Sequence, residues 1–188
     1  DGRLYKANDM VKADCGGCNG CSRCCHGMGN SIILDPYDVY RMTTGMGKSM
    51  QELLAASVEL NVVDGVILPN LKMQGTEEAC AYLDEEGRCS IHPYRPGICR
   101  LFPLGRYYEN GGFSYFLQTE ECAKENRSKI KVSKWIDTPD LTRNQQFTLQ
   151  WHDLLHAMEE RLTGEDEGKQ REENLLLLRL FYLLPYEG

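Results

Sequence analysis

Five of the nine cysteines crowd into one segment, Cys15-Gly-Gly-Cys18-Asn-Gly-Cys21-Ser-Arg-Cys24-Cys25, and His26 follows it directly. Three residues of chain span at most roughly 10–11 Å when extended, so consecutive sulfurs stay within reach of one small volume. Gly and Asn fill the gaps and let the loop curl its thiolates inward with little strain. A chain built around this segment reads first as a metal-binding chain.

Thiolates are soft anionic ligands that favour Zn²⁺, Cu(I) and iron–sulfur clusters, and their binding couples metal to folding. The competing use of cysteine is the disulfide or redox dithiol. Secreted disulfide scaffolds are short and carry even cysteine counts, whereas this chain has 188 residues and nine cysteines. Metal in a reducing, cytoplasmic setting is therefore expected. The spacing Cys15-x₂-Cys18-x₂-Cys21-x₃-Cys25 matches the run of bacterial ferredoxins, with His26 where those have proline. A second copy is missing, which argues against a two-cluster ferredoxin. The C-x₃-C-x₂-C radical pattern is absent too, because Met28 stands where its third cysteine would fall.

Cys24 and Cys25 are neighbours, and neighbouring side chains rarely converge on one ion. They are expected to serve two metals or to bridge within a cluster, with a vicinal disulfide as the alternative. Cys80, Cys89, Cys99 and Cys122 complete the count. Nine sulfurs suffice for two four-thiolate sites with one over, or for one multinuclear cluster. Each later cysteine alone is compatible with a buried structural thiol, but four beside a five-cysteine loop favour shared ligation.

The set Cys18-x-x-Cys21-x-x-Cys24-Cys25, Cys80, Cys89 and Tyr94-Arg-Pro-Gly-Ile-Cys99-Arg100-Leu-Phe-Pro103 resembles the YkgJ-like cysteine-cluster family, a zinc- or iron-chelating domain. The resemblance covers about residues 15–125. It implies that these cysteines and Cys122 bind metal, while Cys15 lies outside the core pattern of the family. The family includes the cysteine-rich part of flagellin lysine N-methylases, which implies an iron–sulfur, S-adenosylmethionine-dependent modifying role for some members.

Charge narrows the partners. The net charge is −7 and the basic residues are scattered, so nucleic acid is not the expected partner. The basic run Lys124–Lys134 reads as a solvated helix face or loop. No stretch approaches the roughly 18–20 apolar residues of a membrane span. Leu175–Leu184 carries Arg179 and ends at Pro185, so it reads as a buried terminal helix. No secretory signal pattern opens the sequence.

Local signals place the elements. Residues 1–14 read as an extended lead-in and Ser31–Leu34 as a short strand. Asp35-Pro36 starts a helix that runs to about Met42 and stops in the Gly45/Gly47 region. Ser49-Met-Gln-Glu52 is a capping box opening a helix over about 50–59. Val62–Leu68 reads as a strand with a turn or bulge at Asp64-Gly65. A hairpin is expected to pair Ala79–Leu83 with Arg88–Ile91, setting Cys80 and Cys89 on opposite arms. A short helix around Ile98–Phe102 ends at Pro103, and a second hairpin turns at Asn110-Gly111-Gly112. Leu141–Leu162 and Glu172–Leu184 read as helices.

Other residues compete for a role. His152 and His156 lie one helical turn apart, as helical zinc ligands do, but Asp153 replaces the glutamate of the protease motif and no third ligand is evident. His26 and His92 each abut a cysteine set and are candidates for ligation or proton donation. Arg95 and Arg100 flank Cys99 and are candidates for neutralising thiolates or holding an anionic cofactor, against a structural bond to carbonyls of the Pro-rich turn. Tyr37, Tyr40, Tyr82, Tyr94, Tyr107, Tyr108 and Tyr115 read as packing around the site rather than as catalytic groups.

The expectation is a single α+β domain over 1–188, with short antiparallel hairpins, flanking helices, 140–185 as its C-terminal helical part, and a cysteine-ligated metal centre. Its metal ligands are Cys15, Cys18, Cys21, Cys24, Cys25, Cys80, Cys89, Cys99 and Cys122. The leading function is an iron–sulfur or multinuclear iron enzyme modifying a peptide, protein or small molecule; the alternative is a non-enzymatic zinc-binding module.

Overall fold

The computed structural model describes residues 1–16, 21–124 and 126–184. The lead-in forms two short strands, β1 (Leu4–Tyr5) and β2 (Met10–Asp14). In β2, Val11 and Ala13 are buried while Met10 and Lys12 are exposed, the period-two pattern of a half-buried strand. Ser31–Leu34, expected as a strand, instead contributes one isolated bridge from Ile33 to Asn70.

Helix α1 (Pro36–Met46) starts where Asp35-Pro36 places it. The Asp38 amide donates to the Asp35 carboxylate at 2.7 Å and the Asp35 amide donates to Asp38 at 3.2 Å, a reciprocal cap. The helix runs through Gly45 and stops at Gly47, whose φ of 63° is the left-handed cap conformation. A second capping box, Ser49 with Glu52, opens α2 (Met50–Ala56). This helix ends three residues short of expectation, because Val58 is buried as the first residue of β3 (Val58–Val63). The chain reverses at Asp64-Gly65, both with positive φ, into β4 (Val66–Leu71). Thus two strands stand where the sequence suggests one.

Next come β5 (Met73–Gln74) and β6 (Ala79–Cys80), which pair with each other. The expected hairpin between 79–83 and 88–91 is reduced to a single bridge, Leu83 to Cys89. Cys80 opposes Met73 instead, since the return arm leaves for a 3₁₀ turn at His92–Tyr94, started by Pro93. Helix α3 (Gly97–Leu101) follows, then the hairpin β7 (Leu104–Glu109) and β8 (Gly112–Leu117). Its turn residues Asn110 and Gly111 have φ of 50° and 69°, as a two-residue hairpin loop requires. The basic run, expected as a solvated helix face or loop, holds a strand, β9 (Ser128–Lys131), and leads into a short helix, α4 (Val132–Ile136).

Helix α5 (Leu141–Leu162) has the expected bounds. Helix α6 (Glu167–Leu178) begins earlier than expected, capped by Asp166, and passes into a π-helical turn at Arg179–Leu183. Pro185, the expected stop, lies outside the described residues. No described helix is long and apolar enough to cross a membrane.

The fold class is α+β. The described strands form four antiparallel sheets, one in the order β1-β8-β7 and three pairs, β2-β9, β3-β4 and β5-β6. Two apolar clusters hold these pieces. One gathers Leu34, Met42, Leu53, Val58 and Val66 against Trp151, Leu162, Leu177 and Tyr182 of the C-terminal helices. The other gathers Val11, Ala13, Leu104, Tyr115, Val132 and Ile136. The Tyr182 hydroxyl donates to the Leu34 carbonyl at 2.9 Å and fastens the last turn to the first cluster.

Candidate metal centre

The later half of the cysteine loop forms a 3₁₀ turn, Arg23–Cys25. The His26–Ala79 bridge and the 3.0 Å bond from the Gly27 amide to the Glu78 carbonyl tie it to β6. Cys80 leaves from β6. Cys89 follows the Asp84 turn, where one carboxylate oxygen accepts from the Glu86 and Arg88 amides. Cys99 sits in α3.

Cys24, Cys25, Cys80, Cys89 and Cys99 line one cavity of about 280 Å³. Its other walls come from both apolar clusters: Ile32, Leu71 and Ile91 from the first, Leu104 from the second. The fold thus brings thiols from four separate stretches of chain to the seam between its two cores.

Electrostatics register the proximity. The Cys25 thiol donates to Cys24, and this bond, helped by the charges of Arg95 and His26, lowers the Cys24 pKa to about 6 against the opposing effect of burial. That same bond, then burial and the charge of Cys24, holds Cys25 protonated. Burial raises Cys80, Cys89 and Cys99, and the charge of neighbouring thiolates raises each further. A bound cation reverses this balance, since coordinating thiols are deprotonated outright. Arg95 lines the same cavity, and its Nε is buried without a partner.

Other expected ligands are placed differently. Cys15, Cys21 and Cys122 do not line the cavity, although Glu121, beside Cys122, does. Cys18 lies outside the described residues. Cys24 and Cys25 are both free thiols and form no vicinal disulfide. His26 hydrogen-bonds Ser22 and the Glu77 carbonyl, and neither it nor His92 reaches the cavity wall. His152 stacks on Tyr108 at 3.8 Å, and His156 pairs with Glu159 and Glu160. Arg100, flanking Cys99 on its other side, donates to the carbonyls of Asp137 and Pro93 and borders a separate cavity.

Residues 17–130 match the CxxCxxCC family, described as "Putative zinc- or iron-chelating domain". The chain belongs to this family. No curated protein and no solved structure matches the chain. The donor set suits the metals of the CxxCxxCC description, because zinc and iron both accept thiolates. Among the described residues, no three His, Cys, Asp or Glu side chains are grouped so as to hold an ion as they stand. The five cavity thiols fit in kind and in common address.

Sequence reasoning caught only part of the apolar wall, reading Tyr82 as packing around the site. Met28, Met73, Tyr82 and Phe102 line the cavity beside the sulfurs. No local signal marked Met28, Met73 or Phe102 as its neighbours.

Proposed function

We propose that this CxxCxxCC domain holds an iron–sulfur or multinuclear iron centre and modifies an organic molecule, peptide or protein side chain beside it. The observation that carries this reading is the cavity of about 280 Å³, on which five thiols and an apolar wall converge. A structural zinc site is closed, with four protein ligands and no space beside them, whereas catalysis keeps a position open. The ligands would be drawn from Cys18, Cys21, Cys24, Cys25, Cys80, Cys89, Cys99 and Cys122.

An iron centre there would supply electrons or Lewis acidity. The chain's own residues would do the rest. Arg95 would offset thiolate charge and orient an anionic group, while Met73, Tyr82 and Phe102 would exclude water from a bound substrate. S-adenosylmethionine is the co-substrate suggested by the sequence resemblance, and it enters the test as an added probe.

The test is anaerobic purification and reconstitution, followed by metal analysis and visible absorption with and without S-adenosylmethionine. Iron with sulfide, charge-transfer bands and a spectral change on adding a substrate-sized ligand are expected. Colourless protein with stoichiometric zinc and no iron after reconstitution would overturn the reading in favour of a zinc-held interaction module.

A further inference from the structure

Helix α3 also borders a second cavity, of about 230 Å³, that the cysteines do not reach. Three guanidinium groups line it: Arg41 from α1, Arg100 from α3 and Arg106 from β7. Arg100 is only 6% exposed. Its Nη2 and the Nη2 of Arg41 both donate to the Pro93 carbonyl, each at 2.6 Å, which presses two cations together on one neutral acceptor. Among the described residues, none of the three arginines forms an ion pair. The Nε atoms of Arg100 and Arg106 are buried and have no partner at all.

Two acids share the lining but do not cancel this charge. Asp38 accepts from the Gly97 amide at 2.7 Å and from the Asp35 amide at 3.2 Å, and Asp35 accepts from the Asp38 amide at 2.7 Å. They are occupied with capping, and burial raises both pKa values, Asp38 to about 8. Buried charges are normally paired, and an unpaired one is strongly unfavourable. Three guanidiniums thus face two carboxyls whose charge acts on Arg106 and offsets it only in part, which leaves the cavity net positive.

The guanidinium fork matches carboxylate and phosphate oxygens two at a time. The remaining wall mixes polar side chains, Thr138, Asn144 and Thr148, with apolar and aromatic ones, among them Ile136, Trp151 and the Tyr108 ring stacked on His152. We infer that this second cavity binds a small organic oxyanion, a carboxylate or phosphate ester with an apolar body, held by Arg41, Arg100 and Arg106. The inference is independent of what the thiols bind.

The full chain should be titrated calorimetrically with phenyl phosphate, benzoate, inorganic phosphate and acetate at constant ionic strength, with chloride as reference and benzylamine as cationic counter-probe. At least one oxyanion is expected to bind saturably, the ring-bearing forms more tightly, and the phosphate and carboxylate arms tell which source is preferred. Arg106→Gln and Arg41→Gln should each weaken that binding tenfold or more. If either variant fails to fold, the corresponding lysine variant keeps the charge, loses the fork and should still bind more weakly than the parent. No saturable oxyanion binding, tighter binding of benzylamine, or affinity unchanged in the arginine variants would overturn the inference.

Discussion

The ring of Tyr94 packs against Gly45 so closely that a methyl group at residue 45 would stand 2.2 Å from its Cδ1 and 2.5 Å from its Cγ. The absence of a side chain inside α1 thereby sets the position of the segment that leads through Arg95 and Pro96 to Cys99. In an isolated helix Gly45→Ala would gain about 1 kcal/mol of propensity. Here overpacking should outweigh it, for a net loss of about 1–2 kcal/mol by urea unfolding. The same variant should retain less metal than the parent protein, measured by metal analysis after dialysis.

Asp38 gives stability a pH dependence of defined sign. Burial first, and the charge of Asp35 second, raise its pKa from 3.8 to about 8. The folded chain thus holds a proton that the unfolded chain releases. The contribution of this group is full below the unfolded value and is lost as pH rises through about 8. Stability should fall by about 3–4 kcal/mol between pH 5 and pH 8. Asp38→Asn should flatten that slope, at the cost of about 1 kcal/mol for the lost bond to the Asp35 amide. Equal slopes for both proteins would refute the assignment.

Asn174 is a polar staple between α6 and the β3–β4 turn. Only 3% exposed, it accepts from the Ile67 amide at 2.7 Å and donates to the carbonyls of Gly65 and Gln170. Asn174→Ala should cost about 2–3 kcal/mol, because it strands buried backbone groups. Hydrogen exchange at the Ile67 amide should accelerate in the variant, and unchanged protection there would count against this role.

Position relative to the cavity ranks the cysteines. Serine at Cys24, Cys80, Cys89 or Cys99 should each reduce bound metal at least tenfold under competition with a chelator. Serine at Cys15, which does not line the cavity, should leave loading near that of the parent. Metal analysis of the purified variants distinguishes the groups, and a loss at Cys15 as large as at Cys99 would redraw the site.

What the sequence revealed and what it hid follow one physical division. Caps and tight turns are encoded by a few adjacent residues, so Asp35-Pro36, Ser49 with Glu52 and Asn110-Gly111 could be read directly. The bounds of α5 were legible for a similar reason, since its apolar stripe continues to Leu162. Pairings between distant segments leave no such mark. Strand β9 escaped notice because its lysines dominate the composition, yet it pairs with β2, placing Ile130 opposite Val11. Cys80 was expected opposite the Cys89 arm because the 84–87 turn signal is real; the turn forms, but Pro93 draws the returning chain away. In the site, cysteine spacing pointed to a metal centre, whereas the shared cavity of Cys24, Cys80 and Cys99 depends on how two cores meet.

Cys99 and Arg100 are consecutive residues on a helix of five, so the thiol-lined and arginine-lined chambers share a partition one turn thick. Such a wall cannot shift for one chamber alone. If filling either chamber moves it, occupancy of the other must change in affinity by the same factor, whichever is filled first. Two chemically unlike compartments would then report on each other through a single peptide unit.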